Sequence, residues 1–170
     1  MQISKENKIR SGESREMQQL KILNSKEIKA IKELVTAEFG AFLKEEYAYL
    51  QNEKGKVYIV NREIAKVNLD NLKIDKIGLY FAEVQENQVR LSKEGAQLLR
   101  RQNEQLQNVV SLNELETKSY FSGQDLDKDL GEKNRMVLLE HGQDILGCAR
   151  YKDKKILNFL PKIHRGEVIL

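Results

Sequence analysis

Six basic side chains near the C-terminus are the residues of this chain best suited to a chemical task, the binding of phosphate. The segment from 145 to 165 contains all six of them and a single acid, Asp153. They are Arg150, Lys152, Lys154, Lys155, Lys162 and Arg165. Lysine and arginine donate hydrogen bonds to phosphate oxygens, and such contacts position a nucleic acid without reading its sequence. Because strand residues alternate between faces, Arg150 and Lys152 are expected to act together, although a charged run is more often a solvated surface.

Residues that carry out catalysis are scarce. The chain has two histidines, His141 and His164, and one cysteine, Cys148. It has no glycine-rich loop of the GxGxxG or GxxxxGK[ST] type that would cradle a dinucleotide or a triphosphate. The acid pair Glu45-Glu46 lies in a polar stretch, where nothing would raise a carboxyl pKa as a general acid requires. The sequence therefore predicts a protein that is not an enzyme and needs no metal or cofactor.

Cys148 lies inside an apolar strand pattern, which favours a small core residue over a nucleophile. A single cysteine excludes an internal disulfide. No apolar run approaches the roughly 18 residues that a membrane span requires, and the polar N-terminus is unlike a signal peptide. These features predict a cytoplasmic location.

Local signals predict an α+β unit in the first two thirds of the chain. Asn24 and Glu27 have the spacing of a capping box, and apolar residues then recur at helical spacing as far as Gly40, a helix-ending residue. Strands are predicted at 56–60, 76–84 and 88–91, and the stretch before 56–60, which ends at Leu50 and leads into a polar turn, predicts a hairpin with it. Ser92 begins a second helix that ends near Gln102. This order predicts a mostly antiparallel sheet.

The polar stretch 100–108 is the predicted domain boundary, and residues 1–15 are predicted to be a flexible tail. Beyond the boundary we expect a short helix over 112–120, an acid-rich surface loop and edge over 124–133, and strands at 136–139, 145–151 and 156–160. This pattern indicates a small barrel whose acids and bases are separated. Phe159 is expected in its core rather than stacked on a base.

The C-terminal pattern resembles the PUA domain, an RNA-binding pseudo-barrel. The pattern consists of an apolar strand, a Gly-x-x-Ile-Leu-Gly turn whose tight-turn glycine is Gly142, a basic loop over 152–155 and the sequence HRGEV. The stretch 120–123, Tyr-Phe-Ser-Gly, resembles the turn after the first helix of that domain, where the family places a glycine near RNA. Residues 77–99 resemble the end of the pre-PUA domain of the Nip-type ribosome-biogenesis factors.

This resemblance implies a pre-PUA-like α+β domain at 16–104 and a PUA domain at 105–170. It implies RNA contacts by Gly123 and by the six basic residues, of which Arg150, Lys154 and Lys155 match the family best. The implied function is non-catalytic RNA binding, to rRNA or tRNA, in archaeal-type large-subunit biogenesis or RNA modification, away from membranes. One alternative is a protein-interaction adapter that docks an RNA-processing or RNA-methylating enzyme. Another is a targeting module of an RNA methyltransferase, since PUA domains are often attached to RNA-modifying enzymes.

Overall fold

The computed structural model describes residues 20–66 and 77–166, which form two five-stranded sheets and three α-helices. The tail predicted at 1–15 lies outside the described residues. So do the first residue of the strand predicted at 76–84 and the last four residues of the chain.

The first sheet is antiparallel throughout, as the order of elements predicts. Its strands follow one another in chain order. They are β1 (Leu20–Ile22), β2 (Ala48–Asn52), β3 (Lys56–Val60), β4 (Leu79–Gln85) and β5 (Gln88–Leu91). Two helices, α1 (Ser25–Phe39) and α2 (Lys93–Gln102), accompany this sheet.

The start and end of α1 follow from its local sequence. The Asn24 side chain accepts hydrogen bonds from the backbone amides of Lys26 and Glu27, and the Glu27 carboxylate accepts one from the Asn24 amide. These contacts satisfy amides that a helix start leaves without partners. Gly40 ends the helix with φ 81°, a conformation that glycine adopts without strain. The predicted capping box and helix end are therefore confirmed.

The second sheet curls into a half-barrel. Its strands are β6 (Val109–Ser111), β7 (Leu126–Asp127), β8 (Arg135–His141), β9 (Asp144–Lys152) and β10 (Lys155–Leu157). Their spatial order is β6-β8-β9-β10-β7, with β6 parallel to β8 and the other pairs antiparallel. Helix α3 (Glu114–Phe121) adds the buried Tyr120 to a core that includes Val137, Tyr151 and Ile156.

One detail of the predicted barrel is wrong. The last predicted strand, 156–160, ends at Leu157, because the Asn158 side chain donates to the carbonyls of Tyr120 and Gln124 and turns the chain aside. The tight turn expected at Gly142 is confirmed, with φ 62° at that residue. Gly147 lies further along, inside β9, where a Cβ would sit 2.5 Å from the hydroxyl of Tyr120.

The two sheets share one apolar core. Met136, Leu138, Ile145 and Cys148 of the second sheet belong to the same buried cluster as α1, α2 and the first sheet. The polar stretch 100–108 lies between the two sheets in the sequence, and hydrogen bonds join its backbone and side chains to the end of α1 and the residues that follow it. Its hydrogen bonds run from Asn103 Nδ2 to the Phe42 carbonyl (3.1 Å), from the Gln107 amide to the Phe39 carbonyl (2.8 Å) and from Asn108 Nδ2 to the Glu38 carbonyl (2.6 Å).

Cys148 gives the first testable prediction. Burial raises the pKa of its thiol to about 12, so at neutral pH the reactive thiolate is essentially absent. We expect a thiol reagent such as DTNB to react with Cys148 only after unfolding, and Cys148→Ala to cost about 1 kcal/mol of stability or less. Rapid labelling of the folded protein, or a loss of RNA binding in the alanine variant, would contradict a purely structural role.

Candidate nucleic-acid interface

Arg150 and Lys152 lie on one face of β9, as strand alternation predicts, while Tyr151 between them is buried. The first sheet with α1 and α2 forms the first unit, and the second sheet with α3 forms the C-terminal unit. The face that holds Arg150 and Lys152 is turned toward the first unit, since Cys148 on the same face belongs to the shared core. Arg150 lines a cleft of about 200 Å³ between the units, together with Glu38, Gln88, Asn134 and Arg135, among others. Among the described residues, Arg150 and Lys152 have no ion-pair partner.

Lys154 and Lys155 lie against carboxylates. The Lys154 ammonium is 3.0 Å from Asp129 and 3.9 Å from Glu132, and that of Lys155 is 3.4 Å from Asp127. The hydrogen bond with Asp129 raises the pKa of Lys154, and a hydrogen bond from the Gly131 amide, together with Lys154, lowers the pKa of Asp129. The predicted separation of acids from bases is therefore wrong in space.

The cause of this error is the short strand β7. It pairs with β10 at the edge of the half-barrel, with Asp127 opposite Lys155 in the ladder. The acid-rich segment 124–133 lies at the surface and at an edge of the sheet, as expected. Its strand β7 pairs with β10, however, and β10 begins at Lys155. Opposite charges directly across two strands attract, so this arrangement partly neutralises the basic loop.

Gly123 and Arg165 meet at the end of α3. Gly123 has φ 88°, and a Cβ there would lie 2.7 Å from Nη1 of Arg165 and 2.8 Å from its Cζ. The guanidinium can therefore approach this loop because residue 123 has no side chain. Nε of Arg165 also donates to the Leu160 carbonyl at 3.0 Å, and this hydrogen bond fixes the position of the guanidinium at its Nε atom.

Lys162 lies beside this site, exposed in a short 3-10 helix (Lys162–His164) that also holds the exposed His164. Within the part of the chain that is described, neither Lys162 nor Arg165 contacts a carboxylate. The predicted RNA-binding residues thus fall into three places. Arg150 and Lys152 share a face of β9, Lys154 and Lys155 lie in the acid-paired loop, and Lys162 and Arg165 lie beside Gly123. Their contact with RNA stays a prediction at all three.

Sequence reasoning missed an exposed ring and two cations from the first unit. Phe159, expected in the core, is 37% exposed, because the chain leaves the sheet two residues before it. The Arg90 guanidinium lies 5.0 Å from its ring centroid, and the Lys93 ammonium lies 5.8 Å from that of Phe121. No local pattern could reveal these contacts, since the partners lie far apart in sequence. Ile163, beside Lys162, is exposed as well.

The residues that could carry out catalysis are dispersed. His141 places Nδ1 2.9 Å from the Leu112 carbonyl, and Cys148 is buried between the units. Residues 20–66 and 77–166 hold no group of three or more side chains able to bind a metal ion. In the same ranges no helix has the length and apolar composition needed to cross a membrane.

Comparison with known proteins bears on the C-terminal unit. Residues 107–165 match the family model described as the PUA domain of the methyltransferase RsmF. The match supports the PUA domain expected from the sequence, and with it RNA binding, but it does not support the resemblance to the Nip-type factors. No curated protein matches the chain.

Proposed function

We propose that this protein is an RNA-binding module that serves RNA methylation, and that its PUA domain holds RNA at the Gly123 loop. The observation that carries the proposal is the contact of Gly123 with Arg165, inside the region that matches the PUA model. A guanidinium held over an open loop presents planar donors, which suit phosphate oxygens. The module contributes affinity and orientation, and a methyltransferase domain or partner supplies the chemistry.

The charges favour the Gly123 loop over the basic loop as the main phosphate site. Lys162 and Arg165 are exposed and have no carboxylate partner among the described residues, whereas Lys154 and Lys155 already face Asp129 and Asp127. A phosphate that binds an already paired lysine must compete with its carboxylate. Lys154 and Lys155 are therefore secondary contacts, and Arg150 and Lys152 extend the surface along β9.

The proposed target is rRNA, and the proposed role of the described region is non-catalytic. The first proposal keeps the rRNA target expected from the sequence, and the match to the PUA domain of a methyltransferase favours a role in RNA modification. The second is supported by the dispersed histidines and by the burial of Cys148. Crosslinking in cells, followed by sequencing of the bound RNA, should recover rRNA above other RNA classes; recovery of mRNA or tRNA instead would contradict the target.

The adapter alternative has one supporting observation. An open groove of about 950 Å³ runs between α1 and the segment that follows it, with Phe42, Leu43 and Tyr49 among its apolar lining. Lys29 and Lys32 also line this groove. Substitutions of these lysines therefore separate the two functions, since they would affect a partner docked in the groove and leave RNA binding at the PUA domain intact.

The binding test compares two double variants with equal charge changes. Lys162→Ala with Arg165→Ala removes two proposed phosphate contacts, and Lys29→Ala with Lys32→Ala removes two charges from α1. Each phosphate contact to single-stranded RNA contributes roughly 0.7 to the slope of log affinity against log salt. We therefore expect the first variant to reduce this slope by about 1.4 and the second to leave it unchanged. Equal reductions would mean that only net charge matters.

A further inference from the structure

The first unit brings two cations to the edge of the Gly123 loop. Arg90, in β5, and Lys93, in the first turn of α2, each lie over an aromatic ring of the C-terminal unit, Phe159 and Phe121 respectively. Both distances, 5.0 and 5.8 Å, are within the range of cation–π attraction. The two units thus meet through charged groups at this edge as well as through their shared apolar core.

Hydrogen bonds make the two rings part of the Gly123 surface. The Gly166 amide donates to the Phe121 carbonyl at 3.0 Å, so the segment holding Arg165 runs beside the end of α3. The Asn158 side chain, directly before Phe159, donates to the Tyr120 carbonyl at 2.7 Å. The rings, the glycine and Arg165 therefore belong to one continuous surface.

The charges on this edge are mostly positive. Arg90 is held by Glu83, with 2.7 Å between Nη2 and Oε2, and this pair fixes the guanidinium on the Phe159 ring. Lys93 has no carboxylate partner in residues 20–66 and 77–166. The acids nearest in sequence are Glu94, beside Lys93, Asp125, which accepts a hydrogen bond from the Asn158 amide at 2.8 Å, and Glu167, which lies outside the described residues. Lys93, Lys162 and Arg165 remain available to phosphate.

We propose that the RNA-binding surface is composite: Phe159, with Arg90 held over one side of its ring, stacks on an unpaired base, and Lys93 of the first unit carries the RNA backbone onward from the Gly123 loop. This inference rests on the proposed function and names its ligand as single-stranded RNA. Aromatic rings hold bases that have left a helix, because bases within a duplex already stack on each other. Arg90 covers one side of the Phe159 ring, and the exposed remainder is available to the base.

The ring test separates stacking from simple burial. Phe159→Leu keeps an apolar side chain but removes the aromatic face, and Phe159→Tyr restores it. We expect the leucine variant to bind a single-stranded RNA of about a dozen nucleotides roughly tenfold more weakly, and the tyrosine variant to bind normally. Binding to a duplex of the same sequence should not change. Equal losses on the single strand and the duplex, or no loss on either, would overturn the stacking role.

The charge test uses Lys93→Gln, alone and with Arg90→Gln, against Lys26→Gln with Lys29→Gln on α1. We expect the salt slope to fall by about 0.7 for each of the first two variants, since Arg90 is already paired with Glu83, and to stay unchanged for the α1 variant. Arg90→Gln leaves Glu83 without its cation, so thermal denaturation must show that this variant folds. Lys93→Gln breaks no ion pair among the described residues, and its salt slope therefore tests the proposal independently.

The outcomes separate this inference from the function on which it rests. If Lys162→Ala with Arg165→Ala reduces the slope while the Lys93 and Phe159 variants bind normally, the composite surface is wrong and the proposed function stands. If the protein binds no RNA, or none of these variants changes binding, both are wrong. Weaker binding by the Lys162/Arg165, Lys93 and Phe159 variants, with the α1 variant unchanged, supports both the composite surface and the proposed function.

Discussion

Gly95→Ala is expected to destabilise the protein by about 3 kcal/mol, the upper part of the usual range for overpacking. A Cβ at this position would lie 2.0 Å from the carbonyl oxygen of Phe81 and 2.9 Å from its carbonyl carbon. These are backbone atoms of β4, so no side-chain rotation relieves the clash, and the helix itself must move. Helix propensity alone predicts the opposite result, because alanine favours a helix interior over glycine by about 1 kcal/mol.

The position of α2 makes this effect large. The helix starts against β4, where the Ser92 amide donates to the Phe81 carbonyl at 2.9 Å and the Ser92 hydroxyl accepts from the Gly95 amide at 2.8 Å. Further along, Leu98 and Leu99 lie in the core that also contains Cys148 of β9. A shift of α2 therefore disturbs both sheets.

Urea or thermal denaturation measures this cost, with Gly166→Ala as the matched control. Gly166 is also a glycine-to-alanine change, but a Cβ there meets no atom within 4 Å. For a chain of this size, 3 kcal/mol corresponds to a fall in Tm of roughly 6–12 °C, and the control should stay within about 0.5 kcal/mol of the parent protein. An unchanged or raised Tm for Gly95→Ala would show that α2 does not pack this closely on β4.

Local signals predicted the elements that local sequence determines. The capping residues Asn24 and Ser92 mark the starts of α1 and α2, and Gly40 marks the end of α1. Three strands were not predicted from the sequence: β1, β6 and β7. Each has only two or three residues and is stabilised by pairing with a neighbouring strand. β6, for example, is a strand because it pairs in parallel with β8, whose residues lie 29 positions further along.

The candidate site shows the same division. The shared face of Arg150 and Lys152 could be predicted, since a period of two is a local feature of a strand. Gly123 was indicated by the resemblance to the PUA domain. The pairing of Lys155 with Asp127 depends on which strands become neighbours. The contact of Arg90 with Phe159 depends on how the units pack. A count of charges along the chain cannot show either one.

Gly123→Ala is expected to weaken RNA binding about tenfold, the loss of one charge-assisted hydrogen bond, and to reduce the salt slope by about 0.7. The added methyl group would occupy the place of the Arg165 guanidinium and displace it from the loop. Because that group ends a flexible side chain, the clash itself costs little stability. The main cost to the fold is the left-handed backbone conformation at φ 88°, about 1–2 kcal/mol for a residue other than glycine.

Gly131→Ala is the control that isolates the role of Arg165. Gly131 has φ 94°, so alanine is strained there to a similar degree, but a Cβ meets nothing within 4 Å. Both variants should lose similar stability in thermal denaturation, and Gly123→Ala alone should lose RNA affinity. In an Arg165→Ala background, Gly123→Ala should have no further effect on affinity, since the two changes remove the same contact. Additive losses would place Gly123 in direct contact with RNA, and equal affinity losses for the two glycine variants would attribute the effect to backbone strain.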